Sequence, residues 1–61
     1  DNEAERIDRE ILSLVDDNYT TIRNVVSNIN GNQERILERI THLVEEGKIR
    51  VHSIEGRIER I

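Results

Sequence analysis

Ala4, Ile7, Ile11, Leu14 and Val15 recur at spacings of three and four, with Leu12 at the edge of the stripe and acids on the other side, the pattern of an amphipathic helix. It predicts a first helix over about 3–16. Asn2, with Glu5 three residues later, opens it, because an Asn side chain accepts from an early backbone N–H and Glu suits the positive helix end. Asp16-Asp17-Asn18 closes it, since these side chains bond to nearby backbone and compete with the helix. After a short β-favouring Tyr19-Thr20, either Thr20 or Thr21 caps a second helix over about 21–29, carrying Ile22, Val25, Val26 and Ile29 on one stripe. Asn30-Gly31 is a common hairpin signal, but the helical period on both flanks makes Gly31 a left-handed residue between two helices. Asn32 then caps a third helix, about 33–46. Its stripe of Ile36, Leu37, Ile40, Leu43 and Val44 is the strongest in the chain and stops at Gly47.

From Lys48 the period shortens to two, Ile49 and Val51 alternating with Arg50 and His52, which predicts a strand. Ser53 to Gly56 supplies a turn, and Arg57-Ile58-Glu59-Arg60-Ile61 returns as the partner of a hairpin over about 48–61. Its register stays open, because Ile58 and Ile61 differ in parity. Ile54-Glu55-Gly56-Arg57 is identical to the recognition tetrapeptide of a processing protease, but inside this continuous pattern it reads as part of the hairpin. The chain is expected to form a single domain, 1–61, of the α+β class and mostly α: three helices followed by a C-terminal two-stranded β-hairpin.

A chain of 61 residues buries only about 60% of the surface its unfolded form exposes. With no Cys to staple it and one aromatic, Tyr19, the core rests on Ile, Leu and Val. The same poverty argues against single-stranded nucleic acid and RNA loops, which are gripped by bases stacked on rings. No apolar run approaches the roughly 20 residues a membrane span requires, so a soluble, cytoplasmic protein without a membrane partner is expected. A first residue of Asp and the absence of Met read as an excised domain or processed chain. The net charge is −4, but unevenly placed. Residues 1–18 hold seven acids against two arginines, whereas 48–61 hold four cations against two glutamates, so the molecule is dipolar and can turn its basic end toward phosphates.

The order helix, short strand, helix, Gly-containing turn, helix, hairpin, together with Ile36-Leu37-Glu38-Arg39-Ile40-Thr41-His42-Leu43-Val44-Glu45-Glu46-Gly47-Lys48-Ile49 and the opening Asp8-x-x-Ile11-Leu12-x-Leu14, resembles the winged helix-turn-helix domain of archaeal and bacterial transcription regulators. The resemblance covers most of the chain. It implies sequence-specific binding of double-stranded DNA by a repressor-like regulator, with the third helix in the major groove and the hairpin wing on the backbone. Gln33, Arg35, Arg39 and His42 are the candidates for base contacts. Thr20, Thr21, Arg23, Lys48, Arg50, Arg57 and Arg60 are the candidates for phosphate contacts. A homodimer formed through elements outside this chain would suit a palindromic site.

The third helix also departs from that family in carrying Glu38, with Glu34 and Glu45 nearby. Arg35 with Glu38 and His42 with Glu45 are i, i+3 neighbours able to form a solvated charged face. These acids keep a second reading open, a winged helix used for protein contact in an assembly or replication factor. A third is a plain three-helix domain whose last segment does not pair. His42 and His52 lack Cys or a third ligand in register, Thr20, Thr21 and Ser53 lack a partnered base, and no Gly-rich phosphate loop occurs. No enzyme activity, cofactor or metal is expected.

Overall fold

The computed structural model of the chain describes residues 2–17, 20–52, 54 and 56–61, with only the backbone of Asn2 and Asp17. Its elements are α1 (Asn2–Asp17), β1 (Thr20–Thr21), α2 (Ile22–Asn28), α3 (Gln33–Glu45), β2 (Ile49–His52) and β3 (Arg57–Arg60). α1 takes in Asn2 as its first helical residue, where a flanking cap was expected. The expected roles of Asn18, Tyr19, Ser53 and Glu55 lie outside the described residues.

Capping explains the starts of α2 and α3. Thr21 Oγ1 accepts from Asn24 N at 3.1 Å, and Asn32 Oδ1 accepts from Glu34 N and Arg35 N, supplying partners for helix donors that have none within the helix. α3 ends in a Schellman arrangement: Gly47 N–H donates to Val44 O and Lys48 N–H to Leu43 O, both at 3.0 Å. Gly47 sits at φ +77°, and a Cβ there would meet nothing within 4 Å. Gly47→Ala is therefore expected to cost about 1 kcal/mol through backbone conformation alone. An urea midpoint unchanged by the substitution would contradict this. Gly31, expected as a left-handed residue between the two helices, takes a positive φ of +155° that side-chain-bearing residues rarely adopt. The α2–α3 turn is also held by α1, Arg6 donating to the Asn30 carbonyl at 3.0 Å.

The sheet is antiparallel with strand order β1-β3-β2, so a third strand joins the expected hairpin. Thr20 pairs with Ile58 and Thr21 with Arg57, while Ile49, Arg50, Val51 and His52 face Arg60, Glu59, Ile58 and Arg57 in turn. That register settles the parity question: Ile58 is buried, and Ile61 lies exposed beyond the strand. Ile7, Ile11 and Val15 of α1, Val25 and Ile29, Ile36, Ile40 and Leu43 of α3, and Ile49 and Ile58 of the sheet form one core. Burial of each such side chain contributes about 1.5–3 kcal/mol. The α3 stripe is narrower than its sequence pattern, because Leu37 and Val44 remain 36% and 40% exposed.

Candidate nucleic-acid interface

Strand alternation sorts the hairpin into two faces. Ile49, Val51 and Ile58 turn toward the core, so Arg50, His52, Arg57 and Glu59 share the opposite, outward face. There Glu59 stands at the centre. Its Oε1 lies 3.0 Å from His52 Nε2 and 3.7 Å from Arg50 Nη1, and its Oε2 lies 3.6 Å from Arg57 Nη2. The His52 hydrogen bond is the largest effect holding the Glu59 carboxyl below its ordinary value of 4.5; desolvation opposes it, and the charges of His52, Arg57 and Arg50 add to the lowering. Because the folded value is the lower one, this contribution to stability is present above the unfolded pKa and is lost as pH falls through the folded one. Glu59→Gln should therefore flatten that part of the acid-unfolding curve. An acid limb identical to that of the parent chain would contradict the assignment.

The other sequence candidates are dispersed. Arg60 reaches toward α1 and pairs with Asp16 at 3.2 Å, and Lys48 lies 3.6 Å from Glu46. Thr20 is 1% exposed and its hydroxyl accepts from Asn24 Nδ2 at 2.7 Å, which removes it from contact with any phosphate. Thr21 serves α2 as its cap. Arg23 is exposed on the first turn of α2.

On α3 the expected outward strip of arginines turns instead toward α1. Arg39 makes a bidentate bridge to Asp8, Nε to Oδ1 at 2.8 Å and Nη2 to Oδ2 at 2.7 Å, and that hydrogen bonding raises the guanidinium pKa. Arg35 pairs with Glu3 at 3.2 Å. The anticipated i, i+3 pairs do not form, since His42 bonds Glu46 at 3.1 Å and Arg35 is taken by α1. Gln33 is exposed in the first turn. Glu34, Glu38 and Glu45 are exposed and have no cation within ion-pair distance among the described residues.

Two organising groups were missed in the sequence. Glu59 could have been found by alternation once the register was known. Asp8 could not, since its partner lies 31 positions away and nothing local links them. No helix among the described residues is long and apolar enough to cross a membrane. Comparison with protein-family models, curated proteins and solved structures gives no match to this chain.

Proposed function

We propose that this domain is a winged helix-turn-helix module that binds duplex DNA as part of a transcription regulator, and that its wing leads the contact. The observation that carries the reading is the outward sheet face, where Arg50, His52 and Arg57 converge on the carboxylate of Glu59. Helix, short strand, two helices and a hairpin in that order support the fold assignment.

Glu59 has a defined part in this scheme. Exposed ion pairs are weak because solvent screens them, so Arg50 and Arg57 exchange a carboxylate for phosphate oxygens at little cost while being held close together beforehand. The acidic α1 and the cationic hairpin orient the approach. Arg39, committed to Asp8, is a structural residue here. Gln33 and Arg35 at the start of α3 are the side chains left to reach base edges, the latter by releasing an exposed pair to Glu3. Most of the affinity is then electrostatic. With three or four phosphates neutralised, log K should fall with log salt at a slope of about −3.

The test is an NMR titration of the labelled domain with a short random duplex at low and then moderate salt. Amide shifts centred on Arg50, His52 and Arg57 that fade with salt are expected. No shifts even at low salt would sink the DNA reading, and shifts centred on the middle of α3 would sink the wing-led version of it.

A further inference from the structure

We propose that the outward edge of α3 is a docking surface for an amphipathic helix of a partner protein, one whose apolar row is bordered by Lys or Arg. This inference does not rest on the wing-led DNA reading, because the observations that carry it lie on α3 and not on the hairpin. Leu37, Thr41 and Val44 follow one another at i, i+4 and i+7, a single stripe along the helix, with Leu37 and Val44 36% and 40% exposed. The stripe carries no unmet polar group from Thr41, whose hydroxyl donates to the Leu37 carbonyl at 3.1 Å. Beside it run Glu34, Glu38 and Glu45, all exposed.

Charge complementarity identifies the occupant. Elsewhere the described acids are largely neutralised: Glu3, Asp8, Glu10, Asp16, Glu46 and Glu59 each have a cation within 4.0 Å. The glutamates of α3 have none among the described residues, because the two arginines of that helix are spent on α1. An aliphatic stripe with a negative border that makes no ion pair among the described residues is complementary to aliphatic side chains with a positive border. A second copy docking through the same face would set glutamate against glutamate and is disfavoured by like charge.

The whole 61-residue chain, labelled with nitrogen-15, is titrated with three synthetic helical peptides of equal length. One alternates a Leu row with a Lys border, one keeps the Leu row with a Glu border, and one keeps the Lys border with a Ser row. Only the Leu/Lys peptide should shift the amides of residues 34–45. Leu37→Ser with Val44→Thr should weaken it roughly tenfold, as should Glu34, Glu38 and Glu45 all changed to Gln. Unchanged circular dichroism shows that the variants stay folded. Should either variant lose its fold, the single changes Val44→Thr and Glu38→Gln are titrated in its place, and each must still weaken binding.

Four results would overturn the proposal. The Ser/Lys peptide binding equally well would reduce it to charge alone. Shifts confined to the acids of α1 would move the surface, absence of shifts on α3 would remove it, and concentration-dependent self-association through α3 would replace the partner by a second copy. None of these bears on whether the wing binds DNA, so the two readings fail separately.

Discussion

Ile36→Ala is expected to cost the domain most of its stability, whereas Leu37→Ala, one position along, should be tolerated. Ile36 is 0% exposed at the centre of the core, and truncating a buried Ile to Ala costs about 2–5 kcal/mol through lost transfer energy and the cavity left behind. A chain of this length has about 3–9 kcal/mol of total stability, so one such change consumes most of it. The melting temperature should fall by about 10–30 °C. Leu37 keeps 36% of its surface in water, and its loss should cost about 1 kcal/mol or less. Thermal unfolding of both variants checks the rotation of α3 directly. Equal losses at the two positions would mean that the helix presents a different face to the core.

The second large effect concerns the wing. Changing Arg50 and Arg57 together to Glu should weaken duplex binding on the order of a hundredfold at low salt and reduce the salt slope by about two, as two phosphate contacts are lost and repulsion is added. Glu59→Gln should act in the opposite direction and tighten binding, since it removes the carboxylate that competes with phosphate for both guanidinium groups. Arg39→Ala supplies the contrast. It should leave DNA affinity within about twofold while lowering stability by about 1–2 kcal/mol, because its bidentate charge-assisted bonds to Asp8 are only partly screened by solvent. Fluorescence anisotropy with a labelled duplex, paired with urea unfolding, separates the two outcomes. A large affinity loss for Arg39→Ala with no loss of stability would return base reading to α3.

Much of this architecture could be read from the chain. The change of period at Lys48 located the hairpin, and Thr20 or Thr21, Asn32 and Gly47 marked helix ends because cap chemistry acts within a few residues. Side-chain partnership was harder. A helical projection gives the angle between Arg39 and the apolar stripe, but it does not tell which element lies beyond the stripe's edge, and here that element is α1 with Asp8 and Glu3. The same ignorance widened the predicted core to Leu37 and Val44. β1, at two residues, is too short to display alternation, and its membership of the sheet depends on a strand far along the chain. Of the candidate interface, Arg50 and Arg57 were named individually, while their gathering around Glu59 required the register that parity left open.

The place of β3 between β1 and β2 bears on the order of folding. Thr20 finds its partner only in Ile58, 38 positions later, so the central strand is also the last of the three to be synthesised. Until it arrives, β1 and β2 have no neighbour to bond, and Ile49 has no opposing strand to cover it. Helices form in a microsecond or less, but closure over so long a separation is slow because chain entropy must be overcome before the contacts form. The rate-limiting step should therefore be threading of residues 57–60 between their two partners. Substitutions that weaken the helix caps, which are already made at that step, would mainly slow folding, while those at β3 contacts made after it would mainly change how fast the finished domain comes apart.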